Sequence, residues 1–281
     1  MKDRHSVVVI QDVPVIHSEF LSQTIGVSMK RYSIYLTKQC NCRCLYCYQT
    51  DYSSIISQFE IMKQIEQVKK RTSKNEYVVV ELIGGEPLLK MNLVLYCYEQ
   101  LNSYFTNIEF YISTNLTFIP KELYSLLDKK NVTLFVSIDG DKDGNSLRIY
   151  KNKLFVFKDV TTNIKKLVSG GYGNKLVAHV VVHYNNVYNL SYHVSFIQRL
   201  NVSMVDVGII EGYYPIITKK FCDAFIKEHE TISREIKMGI YKNNVSTLLF
   251  PPKKTYRTGE EKIHYLLRKT VYEKHKEEVK Q

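Results

Sequence analysis

No stretch of the 281 residues approaches the apolar length of a membrane span, which excludes a bilayer-crossing helix from the reading. Lys2 and Arg4 sit near the start, but the apolar run after them is only Val7 to Ile10 before Gln11 and Asp12. That is too short for the core of a secretory signal. Internal repeats and low-complexity tracts are missing, so solenoid and linker architectures drop out. Tryptophan is absent although tyrosine is abundant at 22 residues, an imbalance without functional content. Cysteine is scarce and uneven: six residues, four of them between 40 and 47, and none after Cys222. A secreted disulfide framework spreads its cysteines; this clustering fits a reducing compartment where thiols stay free for metal, and the chain reads as cytosolic.

What is present is enough apolar material, 44% of residues, to bury one large core. The formal net charge is +11 and the sequence pI about 9.2, which favours an acidic partner such as an anionic peptide, a nucleotide or RNA. A solubilising surface is the plainer account, because no single face is clearly basic. Apolar runs rich in β-branched residues recur with helical segments between them, as in parallel strands joined by crossover helices. Six strands are predicted: 32–37, 77–83, 108–114, 133–138, 176–182 and 204–210. Helical stripes are expected at Ile61, Met62, Ile65 and Val68, at Leu93, Tyr96, Cys97 and Leu101, and at Leu123, Leu126 and Leu127. Further helices are expected over 160–168, 190–200 and 221–241. The fold class is α/β, a partial TIM-like barrel of six parallel strands. A leader of strand-like pieces (1–30) precedes the core (31–215), and a helical extension (216–281) follows it. Within that extension Pro251-Pro252 breaks the chain, and Ile263, Leu266, Leu267 and Val271 mark a last amphipathic helix. From 251 onward nine Lys or Arg stand against five Glu, which reads as a solvated flank.

The chemistry concentrates in Cys40-Asn41-Cys42-Arg43-Cys44-Leu45-Tyr46-Cys47, just past the first strand. Three thiols at C-x3-C-x2-C spacing suit a [4Fe-4S] cube, with a fourth iron left for a substrate. Four thiolates could also hold zinc. Polar motifs follow the next strands: Gly84-Gly85-Glu86-Pro87, Ser113-Thr114-Asn115, and Ser137-Ile138-Asp139-Gly140 with Arg148 shortly after. In parallel barrels the C-terminal strand ends share one mouth, so these motifs converge with the cysteines. The glycines are expected to let a ligand approach the backbone.

In this order and on these strand ends, the motifs resemble those of radical S-adenosylmethionine (SAM) enzymes. They are most similar to the core of the peptide- and protein-modifying, SPASM-type maturase branch. The likeness runs from about Tyr32 to Ile210. It implies that Cys40, Cys44 and Cys47 hold a [4Fe-4S] cluster and that the ring of Tyr46 packs near adenine. Gly84, Gly85 and Glu86 resemble the segment binding the SAM amino group, and Ser113 and Asn115 the polar pair of the third strand. Ser137 and Arg148 resemble ribose or carboxylate contacts, and Asn186 an asparagine beside the nucleoside. By that likeness a reduced cluster cleaves SAM to methionine and a 5'-deoxyadenosyl radical, which takes hydrogen from the substrate. It also implies a reductase partner such as a flavodoxin or ferredoxin. Two departures stand out: Leu116 follows Asn115 where glycine is usual, and Asn145 occupies a position before the arginine that is commonly acidic. Cysteines for auxiliary clusters after the core are missing, and Cys42, Cys97 and Cys222 are too few for a second all-cysteine cluster.

Cys42 reads as a spectator in the loop, and Cys97 and Cys222 as packing. His183 and Glu211 are the candidate catalytic groups; His179 is expected to be a satisfied structural histidine, and Asp139 to brace its loop. The leading reading is hydrogen abstraction from a peptide or protein. Radical chemistry on a nucleotide, RNA or small molecule is the second, and a non-catalytic iron-sulfur or zinc module the third.

Overall fold

The computed structural model describes residues 29–209, 218–241 and 244–247. Leader residues 1–28, the Gly212-Tyr213-Tyr214 segment with Glu211, the Pro251-Pro252 break and the last amphipathic helix lie outside the described residues, while the last two leader residues open the first strand. Seven parallel strands form one sheet in the order of the chain: β1 Met29–Thr37, β2 Tyr77–Gly84, β3 Asn107–Thr114, β4 Val132–Ser137, β5 Leu176–Val182, β6 Met204–Ile209 and β7 Asn244–Thr247. Each strand pairs in parallel with the next. The crossovers carry helices α1 Gln58–Arg71, α2 Met91–Asn102, α3 Glu122–Leu127, α4 Phe157–Leu167 and α5 Leu190–Gln198, and α6 Lys219–Lys237 precedes β7. This is the parallel α/β architecture of a partial TIM-like barrel.

The two sheet faces differ because strand side chains alternate. Ile34, Val80, Phe110, Leu134, Val180 and Val205 lie in the large core beneath the helices. On the concave face Val79, Tyr111, Phe135, Val177 and Met204 form a separate apolar floor. Two residues further along the same strands, that face turns polar. Glu81 pairs with Arg31 at 3.2 Å and accepts from Ser113, and His179 meets Asp206 at 2.7 Å.

Two expectations need correction. The segment after β6 is not purely helical, because Asn244–Thr247 adds a seventh strand in register with Met204 to Val207. Met62 is exposed, and Gln64 takes the buried place on α1, where its side-chain amide bonds both backbone groups of Tyr35 at 3.0 and 3.1 Å. A polar side chain thus satisfies the edge of β1, which a search for apolar periodicity does not detect. Among the described residues no helix is long and apolar enough to cross a membrane.

Candidate active site

The cysteine loop leaves β1 and crosses the C-terminal ends of the strands. It is seated by the two glycines at the end of β2. A Cβ on Gly84 would lie 2.2 Å from the Thr37 carbonyl oxygen, and one on Gly85 would lie 2.4 Å from that of Gln39. Their close approach is to the backbone leading into Cys40, which corrects the expectation of ligand clearance alone. The amides of Gly85 and Glu86 donate to Thr37 O and Gln39 O at 2.8 and 2.9 Å.

Glu86 is fully buried and accepts from Leu88 N, Thr114 Oγ1 and Asn115 N at 2.9, 2.8 and 2.7 Å. Burial pushes its carboxyl up to about 7, with these donors pulling the other way. Both carboxylate oxygens are therefore committed to the fold, as are the Gly85 and Glu86 amides, so a ligand donor at this segment would meet its backbone carbonyls. The Asn115 amide reaches Asn41 Oδ1 at 2.9 Å, Cys42 Sγ at 3.2 Å and Cys40 Sγ at 3.7 Å, linking the end of β3 to the loop. Leu116 adopts φ 47°, the left-handed conformation that glycine supplies elsewhere, and is completely buried.

The four thiols of the loop differ in burial. Cys40 and Cys44 are half-buried and Cys47 is exposed, whereas Cys42 is only 3% exposed and belongs to the large core. A hydrogen bond with the Cys42 side chain brings the Cys40 thiol down to about 7 against the effect of burial. The same bond, with burial, pushes the Cys42 thiol far above the ordinary range. Burial raises Cys44 to about 11, opposed by the charge of Arg148. Among the described residues no three His, Cys, Asp or Glu side chains converge as the ligands of a single ion do. A four-iron cube takes each thiolate on its own iron, so its ligands need not converge on one point.

Asp139 is fully buried after β4 and is the hub of the site. It receives Nε and Nη2 of Arg148 at 2.7 and 2.8 Å, the Tyr46 hydroxyl, and Val181 N at 2.9 Å. Arg148 is thus in a buried ion pair rather than at the surface, with Nη1 outside that fork. The Tyr46 ring lies 5.3 Å from the Arg148 guanidinium and 5.3 Å from the His183 ring. Asn145, where an acidic residue is commonly found, is buried and accepts the Asp139 amide at 3.0 Å.

His183 and Asn186 are fully buried. His183 accepts from Asn185 N at 3.1 Å, and its Nε2 stands 3.6 Å from Asp139. The structure therefore gives it no surface with which to meet a substrate, contrary to the catalytic expectation. The Asn186 amide is spent on Asp139 O, Val181 O and His183 N at 3.1, 2.9 and 2.8 Å. Ser113 and Ser137 are half-buried near the ends of β3 and β4, and Glu211 lies outside the described residues. The sequence reading missed Asp206, whose hydrogen bond to His179 Nδ1 gives that histidine the partner expected of it. A lone carboxylate inside the apolar strand Met204–Ile209 was the available signal.

Comparison with known proteins agrees with this layout. Residues 34–190 match the model of the Radical SAM superfamily. An uncharacterized protein of Methanocaldococcus jannaschii is 29% identical over 126 residues, 44% of this chain and 43% of that protein. The fold is similar to anSMEcpe with bound AdoMet, at a TM-score of 0.64 and 16% identity over 78% of this chain and 64% of that one. It is also similar to Streptococcus suis SuiB bound to precursor peptide SuiA, at a TM-score of 0.59 and 18% identity, over 82% and 52% of the two chains. The chain spans less than two thirds of each of these relatives. With its cysteine loop and strand-end motifs gathered at one mouth and more than half its length matched, the chain belongs to the radical SAM superfamily, whose enzymes use a [4Fe-4S] cluster and SAM.

Proposed function

We propose that the chain acts on a peptide or protein, removing a hydrogen atom from a side chain or α-carbon held over the concave face. The observation that carries this reading is the rim of the mouth. Tyr48 follows the cysteine loop and Tyr184 and Tyr188 follow β5, all of them exposed. Large amphipathic rings at a rim suit contact with an extended peptide better than enclosure of a small molecule. Support comes also from two chains of this fold whose structures contain peptides, SuiB with SuiA and anSMEcpe with the Cp18Cys peptide.

Cys40, Cys44 and Cys47 would hold the cluster, with Cys42 outside the ligand set. Backbone carbonyls of the Gly84 to Glu86 segment, Arg148 Nη1, Ser113, Asn115 and Ser137 would meet the polar groups of SAM, and the Tyr46 ring its adenine. When bound, the cluster and SAM together supply a one-electron reductive cleavage that yields an oxidant able to take hydrogen from carbon. Glu86 and Asn186 act through the backbone they hold in place. On the concave face the partly exposed His179, held by Asp206, rather than buried His183, is the imidazole placed to hydrogen-bond a substrate. A small acidic reductase of the flavodoxin or ferredoxin type fits the net charge of +11. The test is mass spectrometry of candidate precursor peptides, encoded beside the gene, after co-expression. A change in mass, cross-linking or stereochemistry that vanishes with Cys44→Ala is expected. Peptides left unaltered while the purified enzyme still forms 5'-deoxyadenosine would move the substrate to another class.

A further inference from the structure

The loop that carries the cluster ligands is held from outside by groups that are not ligands. Arg43 N donates to Ile149 O at 2.7 Å and Leu45 N to Leu147 O at 2.9 Å, while Cys42 and Tyr150 form an antiparallel bridge. Residues 42–45 and 147–150 are therefore a short two-stranded ribbon across the mouth. An isolated ribbon of this length is marginal in water. Its outer strand is anchored at Arg148, in the middle of the segment, by the two-pronged bond to Asp139, and both side chains are nearly or fully buried. The same carboxylate takes the Tyr46 hydroxyl from within the cysteine loop and the Val181 amide from β5. One buried anion thus fastens the loop, the ribbon and the sheet together, and every bond in the set is made by protein groups alone.

Metal sites in small domains commonly form only as the metal binds. Here the geometry points to the opposite order. We propose that Asp139 and Arg148 are positioning residues that pre-form the cysteine loop in the metal-free chain, so that iron and sulfide assemble onto thiols already in place. An Arg→Lys change would keep the charge and lose the fork, so charge and geometry can be separated.

The test is hydrogen exchange in the full-length, metal-free chain, read at single amides, together with iron and sulfide bound per chain after anaerobic reconstitution. In the wild type, Arg43 and Leu45 should exchange at least about a hundredfold more slowly than in an unstructured chain. Arg148→Gln and Asp139→Asn should each lose at least about tenfold of that protection, with Ile112 in β3 unchanged and cluster yield reduced. Arg148→Lys should fall between the wild type and these two variants. If either of the first variants also exposes Ile112, the wild-type and Arg148→Lys measurements decide. Unprotected Arg43 and Leu45 amides in the metal-free wild type, with protection appearing only once the cluster is loaded, would overturn the proposal. So would Arg148→Lys with wild-type protection and wild-type cluster yield.

Discussion

At the scale of single residues, the sequence motifs separate into groups facing a ligand and groups holding backbone, and burial draws the line. Cys42 shares a loop with three candidate ligands, yet it packs in the core and its sulfur is engaged by the Asn115 amide and the Cys40 thiol, a role in the loop rather than in the ligand set. Cys42→Ala should keep the iron-sulfur absorption and EPR signals of the reconstituted protein and cost about 1 kcal/mol of stability. Cys40→Ala, Cys44→Ala and Cys47→Ala should each abolish those signals; a signal lost only with Cys42→Ala would reverse the assignment. The motif spacing made the cysteines and the motif order legible, but not what each side chain does. Glu86, Asn186 and His183 carry the expected identities and are buried with their polar atoms turned to backbone or to Asp139. Such commitments arise when separate strand ends meet, and no local pattern encodes them.

The strands were legible among the elements because each is a near-continuous run of β-branched and aliphatic residues, covered on both faces. β5 lies where the sequence placed it, and β2 extends only one residue further. β7 was not legible: Asn-Val-Ser-Thr has one aliphatic residue, and its strand conformation comes from pairing with β6. The junction between β2 and the cysteine loop offers the sharpest element-scale test. Gly84 combines φ 148° with contact against Thr37, whereas Gly171, at φ 90°, has nothing within 4 Å of an added Cβ. Gly84→Ala meets both backbone strain and a backbone clash, so it should cost on the order of 3 kcal/mol or more. Gly171→Ala meets strain alone, about 1 kcal/mol. Chemical denaturation should rank them in that order, and Gly84→Ala should also lower the iron bound per chain, because the displaced backbone leads directly into Cys40. Equal stability losses would mean that the close approach at Gly84 relaxes without consequence.

For the molecule as a whole, acid should act in two steps on opposite sides of pH 4. His229 on α6 is buried, and desolvation holds its imidazole down to about 4. An unfolded histidine titrates near 6.5, so between about pH 6.5 and 4 the unfolded chain binds more protons than the folded one. The His229 share of stability therefore falls as pH drops through that window and is fully lost below it, while Glu86, its carboxyl held up to about 7 by burial, contributes in the opposite sense there. Burial lowers His193 in the same direction as His229. Asp139 supplies the second step. Burial raises its carboxyl, but the Arg148 charge outweighs this and leaves it well below the usual carboxylate range. Its contribution is fully present above the unfolded value near 3.9 and is lost only as pH falls beneath it. Thermal unfolding of the metal-free wild type and His229→Gln across pH 7.5 to 3 separates these contributions. Relative to the wild type, His229→Gln should gain stability progressively as pH drops from 6.5 to 4, while the lower step remains, since the ion pair at the mouth is untouched. A His229→Gln profile that parallels the wild type through the upper window would show that the helix opens to water before the histidine is charged.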